Sequence, residues 1–207
     1  MTDFELLTAW RAGDKLAGGR LIDRYHGLLW RTAVTKVPRD DVEDLIHRVV
    51  VAILERRDTL RDDTKFRAYL LAVTRYQIAE YYRTRIRRKT DFVSVVDSAV
   101  EDLAPGPSTI VFEKTEHRLL LEALRSLPMD DQFVLELHYW EGMTGPELAS
   151  VFDLLEPTVR GRIRRAKKRL RESLLDLARQ HPQLRETVTD LDAWAQSVRE
   201  DFRRQGP

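Results

Sequence analysis

The sequence contains no cysteine. Disulfides, thiolate-bound zinc and thiol catalysis are excluded together. Long apolar runs are missing as well. The longest, Val49 to Leu54, falls far short of the roughly 20 residues that a membrane-spanning helix needs. The opening Met1-Thr2-Asp3-Phe4-Glu5 is acidic and has no basic start leading into an apolar core, so it does not read as a signal peptide. These absences predict a cytoplasmic chain with no membrane insertion. Catalytic signatures are lacking too: there is no G-x-S-x-G, no P-loop and no H-E-x-x-H. His26, His47, His117, His138 and His181 are scattered without metal-ligand spacing, and Gly13, Gly18 and Gly19 follow no strand and form no phosphate loop. No catalytic residue, metal or cofactor is expected, and the chain is not read as an enzyme. Net charge is almost nil. Lys and Arg number 35 against 34 Asp and Glu, leaving +1, so only the distribution of charge carries information about partners.

What is present is a helical period. A chain of 207 residues holds one ordinary domain or two small ones. Hydrophobic residues at 43% supply cores, and charged residues at 33% imply long charged helix faces. Helices are predicted from Phe4 to Trp10, around Leu21 to Ala33, and through Leu45, Ile46, Val49, Val50, Ile53 and Leu54, whose spacing makes one stripe. Asp40 with Glu43 reads as a capping box for the third. A longer helix is expected from Phe66 to Arg88. From Thr90 to about Glu113 the period fails around Pro105-Gly106-Pro107-Ser108, which reads as a linker, with at most a short strand at Phe92 to Val96. Helices are predicted again over Thr115 to Leu127, Asp130 to Trp140, Gly145 to Phe152 and Pro157 to Leu177, with an amphipathic segment over Pro182 to Phe202.

The stretch from Glu141 to Arg171 is the most informative. Thr144 and Glu147 form a capping box that starts a short helix. Asp153 follows where a tight turn needs a left-handed backbone, which Asp tolerates. Pro157 sits in the first turn of the next helix, where its missing N–H costs nothing. Short helix, tight turn, longer helix is the spacing of a helix-turn-helix. The second helix carries Arg160, Arg162, Arg164, Arg165, Lys167, Lys168, Arg169 and Arg171 around the narrow apolar stripe Val159, Ile163, Ala166 and Leu170. A solvated face mixes signs at i,i+4, yet no acid lies between Val159 and Arg171. Such a helix suits the major groove, where guanidinium groups neutralise phosphates and bond guanine edges.

In the first half, Asp41-Val42-Glu43-Asp44-Leu45 resembles the D-A-E-D-L motif of sigma region 2.2. Phe66-Arg67-Ala68-Tyr69-Leu70 is similar to the F-R-A-W-L segment of region 2.3. In the second half, Leu124-x-x-Leu127-Pro128, Glu141-Gly142-Met143-Thr144 and Pro157-Thr158-Val159-Arg160-Gly161-Arg162-Ile163-x-Arg165-Ala166-Lys167 resemble region 4. The chain is thereby identified as resembling an extracytoplasmic-function (group 4) sigma factor of the sigma-70 family. It departs from the family pattern at His47 (usually Gln), Arg48 (usually acidic), Tyr76 (most often Asn), Pro157 (Gly) and Gly161 (Ser).

The resemblance implies an all-α fold: two small helical domains joined by an irregular linker, the second containing the helix-turn-helix, plus a C-terminal helical extension. It divides the chain into residues 1–90, a region 2-like domain that binds polymerase and the −10 element; 91–113, the linker; 114–172, a region 4-like domain for the −35 element; and 173–207, the extension. The implied −35 contacts are Thr158, Arg160, Gly161, Arg164, Arg165, Lys167 and Lys168. The implied −10 contacts are Thr64, Lys65, Tyr76, Tyr82, Arg83 and Arg87, from a helix rich in stacking aromatics and from the loop before it, Leu60 to Lys65. Phe66, Tyr69 and Tyr81 are assigned to the core. Asp41, Glu43, Asp44, Leu45, His47 and Arg48 are implied at the polymerase surface. The implied partners are core RNA polymerase, through its clamp coiled coil and flap, promoter DNA, and an anti-sigma protein or other regulator. The extension is expected to pack without a regulatory role, as a helix extending the core of the second domain; the alternative is that it packs on one of the two domains and masks a polymerase or DNA surface. The alternative function is an ordinary helix-turn-helix regulator that binds operator DNA without delivering polymerase.

Overall fold

The computed structural model describes residues 1–56, 58, 65–89 and 115–180, the side chains of 86–89, 115–117 and 180 excepted. The linker 91–113, the possible strand at Phe92 to Val96 and the helix expected from Pro182 lie outside the described residues. Eight helices and no strand occur among those described: α1 (Asp3–Arg11), α2 (Lys15–Val34), α3 (Arg39–Arg56), α4 (Phe66–Lys89), α5 (Thr115–Arg125), α6 (Met129–Tyr139), α7 (Gly145–Phe152) and α8 (Glu156–Gln180).

Local chemistry sets the helix ends. Thr2 and Glu5 form a reciprocal capping box at the start of α1. Asp14 caps α2, its Oδ1 accepting from the Leu16 and Ala17 N–H groups at 2.9 and 3.1 Å. Between them, Gly13 takes φ 102°, which the turn between antiparallel helices requires. Gly18 lets α2 approach α1: a Cβ there would lie 2.4 Å from Trp10 Nε1. The start of α3 differs from expectation. The helix begins at Arg39 directly after Pro38, so Asp40 is inside the first turn and complements the helix dipole instead of capping it.

α1 packs on α2, α2 on α3 and α3 on α4, making a first helical half. In the second half, α8 packs against α5, α6 and α7. Leu21, Leu29, Leu45, Ile53, Leu70 and Leu71 are completely buried in the first half, as Phe133, Val134, Leu148, Val159 and Leu174 are in the second. Each such side chain contributes about 1.5–3 kcal/mol through removal from water. The halves do not stand apart. α4 packs on α7, and nearly all the buried apolar residues form one continuous cluster running from Leu6 to Leu174.

Candidate nucleic-acid and polymerase interfaces

The helix-turn-helix forms as its punctuation dictates. The Glu147 carboxylate accepts from the Thr144 N–H at 2.8 Å and its hydroxyl at 2.7 Å, and these bonds hold it below the usual carboxylate range. Asp153 ends α7 in the left-handed region at φ 52°, ψ 47°. Leu154 then packs on the core, while Leu155 is 77% exposed immediately before α8. Pro157 is the second residue of α8.

α8 sorts its cations by direction. Val159, Ala166, Leu170 and Leu174 bury one stripe. Thr158, Arg160, Arg164, Arg165 and Lys168 are exposed, and Gly161 is half-buried with room for a side chain. Arg160 pairs with Glu156 at 2.9 Å and Lys168 approaches Glu172 at 3.8 Å, both along the helix. Arg164 and Arg165 pair with no acid among the described residues. Arg162 turns inward. Its Nη1 donates to Asp130 Oδ2 at 2.6 Å, and its guanidinium lies 5.4 Å from the Phe152 ring centre. Arg169 binds Asp131, and the half-buried Lys167 lies 5.3 Å from the Tyr139 ring centre. The acid that compensates this helix is therefore supplied partly by the first turn of α6, far away in sequence.

On α3, Glu43, Asp44, His47 and Arg48 are exposed and Asp41 is half-buried. Asp41 accepts from the Tyr81 hydroxyl at 2.6 Å and from Arg85 Nη1 at 3.2 Å, tying the acidic start of α3 to the basic end of α4. Asp41, Asp44, His47, Arg48, Tyr81, Thr84 and Arg85 line a depression of about 450 Å³ there. Leu45 is corrected: it is 0% exposed and is a core residue, because it falls on the apolar stripe of α3.

The −10 set is divided. Tyr76 is 58% exposed on α4. Lys65 is exposed, and Arg83 is half-buried with Glu80 3.8 Å away. Tyr82 is corrected: it is buried, and its hydroxyl donates to the Lys36 carbonyl, so it offers no stacking face in this conformation. Burial pushes its pKa up to about 12. Phe66 and Tyr81 are buried and Tyr69 packs on the core, as assigned. Thr64 and the Arg87 side chain lie outside the described residues.

The sequence reading missed the contact between the halves. Lys36 after α2 and Glu136 of α6 form a buried ion pair, with Thr35 Oγ1 3.4 Å from the same carboxylate. Burial lowers the Lys36 pKa and raises that of Glu136, each opposed by the other's charge. Arg31 holds Glu141 through two bonds of 3.0 and 3.2 Å, and Arg67 Nη2 donates to the Glu141 carbonyl at 2.8 Å. Arg75 chelates Asp130 at 2.7 and 2.8 Å. Burial alone would raise the Asp130 pKa, but Arg75 and Arg162 outweigh it and hold the carboxyl below its usual value. No signal in the sequence pairs these residues, since each lies on or next to a helix whose own pattern is complete without it.

Two family models match in order: Sigma-70 region 2 over residues 21–88 and Sigma-70, region 4, over residues 117–170. The RNA polymerase sigma factor CnrH of Cupriavidus metallidurans is 30% identical over 173 residues, covering 80% of this chain and 90% of that one. The ECF RNA polymerase sigma-E factor of Escherichia coli is 23% identical, covering 86% and 97%. This chain also spans 42% of a longer relative, the probable RNA polymerase sigma factor RfaY of Xanthomonas campestris, at 27% identity. The solved structure of CnrH in complex with the cytosolic domain of CnrY superposes with a TM-score of 0.60 at 25% identity, over 84% of this chain and 97% of that one. The family models thus fall on the halves that carry the helix-turn-helix and the α3–α4 surface, and the chain belongs to the extracytoplasmic-function branch of the sigma-70 family of RNA polymerase sigma factors.

Proposed function

We propose that residues 1–90 bind core polymerase and the −10 element while residues 114–172 read the −35 element. The carrying observation is the sorting of cations on α8. Thr158, Arg160, Arg164, Arg165 and Lys168 face solvent on the second helix of a helix-turn-helix, whereas Arg162 is turned inward onto Asp130 and the exposed Arg169 is tied to Asp131 of α6. A row of exposed guanidinium groups on that helix suits bidentate bonds to guanine and salt-dependent phosphate contacts. Lys167 and Gly161 flank the row, at the phosphate edge and at the closest backbone approach. On the first half, the exposed Asp41 to Arg48 face of α3 meets polymerase through Asp41, Glu43, Asp44, His47 and Arg48. Tyr76, Lys65 and Arg83 contact −10 DNA, together with Thr64 and Arg87.

The protein acts as a binding and positioning subunit, without chemistry of its own, and in the cytoplasm; no described helix is long and apolar enough to cross a membrane. Polymerase tethers both halves, so each weak DNA contact becomes intramolecular, which suits a chain of net charge +1. An anti-sigma protein is a further partner class, supported by the complex of CnrH with the cytosolic domain of CnrY. The test is reconstitution. Purified protein mixed with core polymerase should co-migrate on size exclusion, and transcripts from a promoter library should start downstream of a shared two-box motif. DNA binding without a polymerase complex would instead support an operator-binding regulator.

A further inference from the structure

The start of the recognition helix departs twice from what local stability favours. The Val159 N–H donates to the Leu155 carbonyl at 3.1 Å, which makes Leu155 the residue that caps α8. Caps favour Ser, Thr, Asp or Asn, whose side-chain oxygen accepts from the first free N–H groups. Leucine has no such oxygen, and Leu155 is 77% exposed. The position gives up a capping bond and leaves apolar surface in water. Gly161 is the second departure, since glycine inside a helix is unfavourable relative to alanine. Among the described residues, the glycines with positive φ are Gly13 and Gly142, so the backbone at Gly161 does not require one. A Cβ there would meet nothing closer than Arg165 Nη1 at 3.6 Å, an ordinary contact. Nothing inside the fold calls for glycine at this position. What remains is its other use, to let a backbone come close to something outside. Local rules are broken mostly where function is carried.

The two departures lie on one surface. Pro157 and Gly161 are four apart, so they share a face of α8 on successive turns. Val159, Ala166 and Leu170 bury the opposite face. Pro157 and Thr158 are exposed beside Leu155. Arg160 is drawn along the flank to Glu156 at 2.9 Å. The outer face is therefore apolar at its start and becomes cationic at Arg164, Arg165 and Lys168. This start is poorly made for a phosphate. Pro157 lacks an N–H, Leu155 has no side-chain donor, and the Glu156 carboxylate occupies the first turn. It suits the inside of the groove, where the N-terminal residues of a recognition helix reach base edges. The apolar group that bases present there is the thymine C5-methyl. A single exposed leucine would need no explanation. Here a cap without an oxygen, an outward proline and a glycine with no internal purpose coincide between residues 155 and 161.

We propose that Leu155, Pro157 and Gly161 form an apolar patch that packs against thymine methyl groups in the −35 element, which makes Leu155 and Pro157 specificity-determining residues beside the arginines. This rests on the −35 reading of residues 114–172 above. The test uses holoenzyme reconstituted from the full-length protein and core polymerase, and a −35 box selected by it from a randomised promoter library. Each thymine of that box, on either strand, is replaced by deoxyuridine, which removes the methyl and leaves every hydrogen-bonding group in place. Affinities are read by competition anisotropy. At one thymine or more, the replacement should weaken wild-type binding by about fourfold, the scale of one methyl buried against apolar surface. Leu155→Ser supplies the missing cap oxygen and so keeps the fold. It should bind the thymine and deoxyuridine boxes alike. Arg165→Ala should weaken both boxes and leave their ratio as in wild type. Gly161→Ala should melt no lower than wild type yet bind the box more weakly. Wild-type discrimination between the two bases in Leu155→Ser overturns the proposal. So does a box in which no deoxyuridine weakens wild-type binding, and so does undiminished affinity in Gly161→Ala. Each of these results leaves the −35 reading standing. A holoenzyme that selects no −35 box takes down that reading and the patch together.

Discussion

Lys36 and Glu136, a hundred residues apart, meet as an ion pair with 0% and 5% of their surfaces exposed. Taking two charges out of water is costly, and mutual attraction repays it only while both partners are present. Lys36→Met alone, or Glu136→Leu alone, should therefore lower unfolding stability by about 3–5 kcal/mol. The double variant should return to within about 1 kcal/mol of wild type or exceed it, since an apolar pair carries no desolvation cost. Chemical denaturation of the three variants checks this; additive losses in the double variant would refute it.

The Asp130 carboxyl predicts a pH response. Its folded pKa lies below the ordinary value, because Arg75 and Arg162 outweigh burial. The folded state thus favours the ionised form. That contribution is fully present above the unfolded carboxylate pKa of about 3.9 and is lost as pH falls through the lower folded value. Stability near neutral pH should be flat in this group. Below about pH 4, wild type should lose stability faster than Asp130→Asn, whose curve lacks this contribution. Thermal melts across pH 2.5 to 7, roughly spanning that window, distinguish the two curves.

Leu45 lies within an otherwise exposed acidic face yet is itself buried. Leu45→Ala should cost about 2–5 kcal/mol as a cavity in the core. Glu43→Ala, at an exposed position, should leave the melting curve nearly unchanged and weaken the polymerase complex. A Leu45→Ala protein of wild-type stability would return that residue to the surface.

On α8, Arg164→Ala and Arg165→Ala should each reduce holoenzyme affinity for the −35 element by about 1–3 kcal/mol while sparing stability. Arg162→Ala should do the reverse, lowering stability by about 1 kcal/mol through the lost Asp130 bond. Anisotropy with a −35 duplex, read beside thermal melts, separates the two outcomes.

Gly18→Ala tests the close approach of α1 and α2. Its new Cβ would meet Trp10 at 2.4 to 2.6 Å. A helix-favouring substitution should here destabilise, by about 1–3 kcal/mol of overpacking. Gly19→Ala, with nothing within 4 Å, should stabilise slightly.

The helix-turn-helix was legible because its signals are local. Thr144 with Glu147, Asp153 and Pro157 each act within one turn of backbone, so the sequence placed α7 at its observed bounds, Gly145–Phe152. The apolar stripes of α2, α3 and α8 were legible for the same reason. The third helix start was misread because Asp40 and Glu43 suit both a cap and a first turn, and Pro38 settled the matter. Tyr82 and Leu45 were misassigned because motif and exposure are different properties. A residue's place in a pattern does not say whether another element covers it.

The sequence alone determined that this chain is helical, free of thiol chemistry, divided by a break in period near residue 90, and armed with a basic recognition helix. Periodicity, capping and breaker residues act over three or four positions, so they are written locally. Only the tertiary structure decided which cations are available. Arg164 and Arg165 face water, whereas Arg162, Arg169, Arg75 and Lys36 are matched to acids of α6 that lie tens of residues away. Charge pairing across a fold depends on distances that no local pattern encodes, because the Coulomb term between two residues is set by their separation in space and by the water excluded around them.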